Sequence, residues 1–251
     1  MEVHHHSSHS NHKKSFGEYL TEFCMIFLAV TAGFFAETYR EYLADHKKEK
    51  EYIVSLIADL KQDTLLISKT TKAIICNTRG EDSLIQLLNN YKKNDSINKK
   101  AYYYYFSYTI SVPQVIFTDR TISQLLSSGN MRLIEHNISD SIIAYDFISK
   151  GIKIQGTYYN QLFKNTFDQS VSVFDFTYAS RSLNDDYSLV NKVQDTSRKY
   201  KLITDDSTLL KKYNSTLTMY QLISDAYVFN LREGKVQASK LIHFLSKKYE
   251  L

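Results

Sequence analysis

Five histidines crowd the opening "MEVHHHSSHSNHKKS": His4, His5, His6, His9 and His12. Imidazoles at that density can take zinc, copper or nickel, and these five are the metal-ligating candidates of the chain. Residues 1–15 are otherwise polar and of low complexity, which reads as a disordered tail, and a floppy cluster lacks the partners that orient metal-bound rings. A second set is carboxylate. Asp59 and Asp63 stand one helical turn apart in "SLIADLKQDTLL", a spacing that suits two acids holding a cation or sharing acid and base roles. On a helix they also lie opposite Ile57 and Leu60, where a solvated face carries its charges, and that is the preferred reading. His136 and His243 are far apart in sequence with no evident partner, and read as structural residues. Asp185 with Asp186, and Asp205 with Asp206, read as loop and helix-capping residues.

The chain carries no glycine-rich phosphate loop followed by Lys-Ser/Thr, no HExxH, no GxSxG and no paired CxxC. No catalytic residue and no cofactor is therefore expected, and the expectation is a non-enzymatic protein. The 31 Lys and Arg against 27 Asp and Glu give a net charge of only +4, spread along the chain, which is no nucleic-acid footprint. Lys99 and Lys100 beside Tyr102 to Tyr105 could stack on a single strand, but without a wider basic groove a buried aromatic wall is the better reading. Cys24 and Cys76 imply no disulfide framework.

The elements that must carry these residues are helical. One proline and seven glycines in 251 residues are too few for a many-turned β-sandwich and favour long helices with few corners. The least typical stretch is "EFCMIFLAVTAGFFAETY", in which residues 23–36 carry no charge and one hydroxyl. Fourteen helical residues span about 21 Å, short of the ~30 Å hydrocarbon core. Phe16 and Tyr19 before the run, and Tyr39 and Tyr42 after it, supply aromatic rings for two interfaces and extend the span to residues 16–42. A cleavable signal peptide wants a basic start and a small-x-small exit. Glu18 and Glu22 precede the run, and Phe34 sits three back from the would-be cut, so an uncleaved anchor is preferred to a signal peptide or a soluble core helix.

Helical steps of three and four put Glu22, Ala29, Gly33, Ala36 and Arg40 on one side of that span, and Ala29 with Gly33 forms a small-xxx-small pair through which two membrane helices can approach. Glu22 either reaches back to the headgroups or acts as an intramembrane carboxylate. The partners expected are thus the lipid bilayer, a second copy through this face, and a protein not identifiable from sequence.

Residues 43–52 are charged on all sides and read as a solvated stalk. From Ile53 a stripe of Ile57, Leu60, Thr64, Ile67, Thr71 and Ile74 marks a helix that docks on others or forms a coiled coil, with Asn77 and Gly80 as stop signals. "DSLIQLLNNYKK" then reads as a new helix opened by Asp82, and "NKKAYYYYFSYTISVP" as helix or strand ended by Pro113. Thr118 or Asp119 can cap a further helix, Gly129 can close it in a left-handed conformation, and Ser139 can cap the next, which is expected to kink between Gly151 and Gly156. "ASRSLNDDYS" reads as a loop. From Ser207 a second long stripe runs through Leu210, Tyr213, Leu217, Tyr220, Tyr227, Leu231, Ala238, Leu241 and Leu245. Two long striped helices at the ends of residues 53–251 predict an antiparallel bundle. The fold class is mostly α: an N-terminal transmembrane helix, a charged helical stalk and a bundle.

The order of "SFGEYLTEFCMIFLAVTAGFFAETYREYL", "KEKEYIVSLIADLKQD" and "LLSSGNMRLI" resembles a group of uncharacterised bacterial proteins of domain-of-unknown-function type. The resemblance covers about the first 135 residues. It implies one N-terminal membrane helix, a charged linker and a helical domain, hence a single-pass protein of the bacterial inner membrane, and it implies a turn at Gly129. It carries over no catalytic residue. Lys13 and Lys14 before the span, against Arg40, Lys47, Lys48 and Lys50 after it, favour a cytoplasmic bundle by charge count, whereas the resemblance favours an extracytoplasmic one.

Overall fold

A computed structural model describes residues 15–178 and 199–251. The chain divides into two compact units, Met1–Glu51 and Tyr52–Leu251. Five α-helices make up nearly all of the described residues: α1 (Phe16–Asn89), α2 (Asp95–Tyr104), α3 (Arg120–Ser127), α4 (His136–Ser170) and α5 (Ser207–Tyr249). Among the described residues no strand forms, and a single isolated bridge joins Phe174 to Leu202. The mostly α reading is thus correct. The histidine tail, "ASRSLNDDYS", Asp185 and Asp186 lie outside the described residues.

In the second unit α1, α4 and α5 pack through continuous apolar stripes. Every member of the α5 stripe read from sequence is buried, from Leu210 to Leu245. Side-chain hydrogen bonds fix the directions. Asn214 donates to the Ile85 carbonyl and Gln221 to the Thr78 carbonyl, both at 3.2 Å, so α5 runs antiparallel to α1. The Thr216 hydroxyl donates to Gln169 and the Tyr220 hydroxyl to Tyr159, both at 2.7 Å, so α5 also runs antiparallel to α4. The core has two parts. Ile53, Leu56 and Leu60 meet Leu125, Ile138, Ile142 and Leu245 at one end; Ile67, Ile74 and Leu84 meet Tyr105, Tyr159, Phe174 and Tyr213 at the other.

Several local expectations are corrected. Helix α1 does not stop at Asn77 or Gly80 but continues to Asn89, so Asp82 opens no new helix. Gly80 serves packing: a Cβ there would lie 2.0 Å from Cγ of Tyr108, so only glycine lets that ring lie against the helix. Asn77 turns its amide sideways to the Ser111 carbonyl, at 3.2 Å. The tyrosine-dense segment is helical, with α2 widening into a π-helix over Tyr105–Thr109 before Pro113. Its wall is partly buried, with Tyr102 and Tyr105 fully enclosed and Tyr103 exposed.

Helix α4 passes Gly151 and Gly156 unbroken, and it starts at His136, so Ser139 is not its cap; the Ser139 hydroxyl donates to the His136 carbonyl instead, at 2.8 Å. Asp206 caps α5 as expected, accepting the Thr208 amide at 2.7 Å, and Gly129 takes the left-handed conformation, φ 68°. Within residues 43–52, Glu49 is buried and hydrogen-bonded to His46 rather than solvated.

Candidate functional site

Three arrangements carry the chemistry of the molecule, and each is positioned by α1. The first is the apolar stretch. Helix formation over Phe16–Asn89 keeps Glu22, Ala29, Gly33 and Ala36 in one row, and a Cβ added at Gly33 would meet nothing within 4 Å. Phe23, Ile26, Val30 and Phe34 are each more than 60% exposed, unlike any core position of the bundle. Among the described residues one helix, near the N-terminus, is long and apolar enough to cross a membrane, and none of its most apolar window is buried. Tyr19, Tyr39 and Tyr42 are likewise exposed, with the Tyr42 ring set edge-on to His46 at 4.3 Å.

The second arrangement overturns the solvated reading of Asp59 and Asp63. Both carboxylates are 2% exposed. Asp59 accepts from Thr121, through its amide at 3.3 Å and its hydroxyl at 2.5 Å, and pairs with Arg120 at 2.9 Å. Asp63 accepts the Thr118 amide at 2.7 Å and the Tyr145 hydroxyl at 3.0 Å. A helix leaves its first amides without intrahelical partners, and here a carboxylate on another helix supplies the acceptor at the start of α3. The residue at the N-cap position, Asp119, gives no side-chain cap; its carboxylate turns to Lys153 at 2.6 Å. The lysine holds the Asp119 pKa below its ordinary value, whereas burial raises that of Asp63.

Both acids are thus held in hydrogen bonds that tie α1 to the segment entering α3, and Asp63 also to α4. His136 pairs with Asp140 at 3.4 Å, and no hydrogen bond or ion pair among the described residues joins Asp59, Asp63, His136 and His243. No group of three or more metal-ligating side chains gathers among the described residues.

The third arrangement escaped sequence reading. Glu81, in the middle of α1, is 1% exposed, and burial pushes its carboxyl up to about 8, Gln221 opposing and Asp82 and Asp225 reinforcing the rise. It faces a tyrosine layer: Tyr159 stacks on Tyr220 at 5.2 Å and on Tyr227 at 5.0 Å. Burial also raises the Tyr159, Tyr213 and Tyr220 phenols, with the Glu81 charge adding to each. A signal for both findings was present in the spacing. Asp63 falls three residues after Leu60 and four before Ile67, and Glu81 three before Leu84, so both occupy stripe positions. A stripe read from apolar residues alone passes over them.

Outside the core, α1 and the π-helix bound an open groove of about 540 Å³ lined by Lys72, Cys76, Arg79, Gly80, Tyr104 and Tyr108 among others. No family model, no curated protein and no solved structure matches this chain.

Proposed function

We infer that this is a single-pass, membrane-anchored and non-enzymatic helical protein that works by binding other proteins through its bundle, in the bacterial inner membrane with the bundle on the extracytoplasmic side. The observation that carries the reading is the exposure of residues 23–36. A core helix of a soluble protein buries most of its apolar surface, and a soluble protein rarely leaves so large an apolar patch in water. Aromatic rings at both ends add the anchors that interfaces favour. The non-enzymatic part is supported by the engagement of Asp59 with Arg120 and Thr121 and of Asp63 with Thr118 and Tyr145. The exposed row of Ala29, Gly33 and Ala36 supports self-association within the bilayer.

Carbonate extraction of membranes, followed by protease treatment of spheroplasts and detection of α5, tests this. Retention in the pellet with clipping from outside is expected. Release of full-length protein into the soluble fraction would refute the anchor, and protection from protease would place the bundle in the cytoplasm.

A membrane-tethered module for a small ligand is the second reading. The groove beside the π-helix favours it, because two half-buried tyrosine rings and two cations without ion pairs among the described residues line it together.

A further inference from the structure

The groove beside the π-helix brings tyrosine rings and cationic side chains together. Its floor is Gly80, where even a methyl group would collide with Tyr108. One wall is the Tyr104 and Tyr108 pair, ring centroids 6.3 Å apart and inclined by 31°, with Tyr103 set edge-on behind Tyr108. Tyr104 ends α2, and Tyr108 lies in the π-helix Tyr105–Thr109, a conformation held by well under 1% of residues and concentrated at functional sites.

The groove lining is also cationic. Lys72 and Arg79 are seven residues apart on α1, which sets them about 10 Å apart along one face. Neither forms an ion pair among the described residues. No carboxylate lines the groove, because Glu81 points into the core and Asp82 accepts the Gln221 amide at 3.0 Å. Two cations without an ion pair among the described residues line the same groove as two half-buried phenol rings, a combination that suits a ligand with an aromatic ring and a negative charge.

We propose that this groove binds a small planar anion, an aromatic carboxylate or phosphate, with its ring on Tyr104 and Tyr108 and its charge held by Lys72 and Arg79. The proposal rests on the ligand-binding reading of the bundle. Membrane extraction tests the anchor by a separate readout, so either can fail without the other.

Cys76 is exposed, lines the groove and lies between the two cations in sequence, so its thiol reports on occupancy. The experiment uses the full chain in a non-ionic detergent with Cys24→Ser, leaving one thiol. Its rate of reaction with the dianionic aromatic disulfide 5,5′-dithiobis(2-nitrobenzoate) is compared with that of the neutral 4,4′-dithiodipyridine, each relative to N-acetylcysteinamide.

The anionic reagent is expected to be favoured by about tenfold, the scale on which a focused positive rim raises encounter. Phenyl phosphate or benzoate should slow the reaction saturably, the stronger of the two naming the headgroup, while inorganic phosphate at the same concentration should not. The double variant Lys72→Met with Arg79→Met should lose both the preference and the protection, and Tyr108→Leu should lose the protection with its helical circular dichroism retained. A rate ratio near that of the free thiol, protection by inorganic phosphate equal to that by phenyl phosphate, or a preference that survives the double variant would each overturn the proposal.

Discussion

At the scale of single residues, polar groups at core positions organise the bundle. Asp59 is the acceptor for the Thr121 amide in the first turn of α3 and the partner of Arg120, so Asp59→Ala leaves a buried amide and hydroxyl without an acceptor. A loss of about 2 to 4 kcal/mol in urea unfolding is expected, with Asp59→Asn losing less because its carbonyl still accepts. Glu81 gives a pH signature. Its pKa is raised from 4.5 to about 8, so the folded protein binds that proton more tightly than the unfolded chain does. The Glu81 contribution to stability is therefore fully present below pH 4.5, falls as the pH climbs to about 8 and is flat beyond, by on the order of 5 kcal/mol at most. Asp63 is shifted in the same sense by burial, so the clean measurement is a difference: thermal unfolding of the parent against Glu81→Gln from pH 5 to 9 should show the variant with the flatter profile and the higher stability at the alkaline end.

At the scale of elements, glycine has two opposite meanings in these helices. Gly80 is required by the approach of Tyr108, whose Cβ would stand 2.6 Å from the added methyl, too near the backbone to swing aside. Gly80→Ala should cost about 1 to 3 kcal/mol despite the better helix propensity of alanine. Gly151 sits mid-helix in α4, where an added methyl would meet nothing within 4 Å, so Gly151→Ala should stabilise by roughly 0.5 to 1 kcal/mol. Parallel guanidinium melts of the two variants check both signs. The same contrast explains why α1 runs past Asn77 and Gly80: lateral contacts to Ser111 and Tyr108 outweigh the local preference to stop.

At the scale of the whole molecule, the exposed apolar span is the feature on which the proposed membrane anchoring rests. An arginine in the middle of such a helix costs about 3 kcal/mol of insertion, so Leu28→Arg should shift protein from the carbonate-resistant pellet to the soluble or degraded fraction. Gly33→Leu fills the small-residue row while keeping the helix apolar, and should lower self-association in a membrane two-hybrid reporter while leaving insertion intact.

The apolar span, the two long stripes, the cap at Asp206 and the turn at Gly129 were all legible from sequence, because each depends on residues within a turn or two of one another. Periodicity sees the chain's own helix and nothing else. The cap that Asp59 provides to α3, the carboxyl of Glu81 beneath the tyrosines and the ring of Tyr108 against Gly80 join residues from 28 to about 140 positions apart, and whether a carboxylate in a helical stripe meets water or a partner is settled by which helix packs over it. Local spacing dictated the helices; only their packing decided which polar side chains became structure and which were left to line a groove.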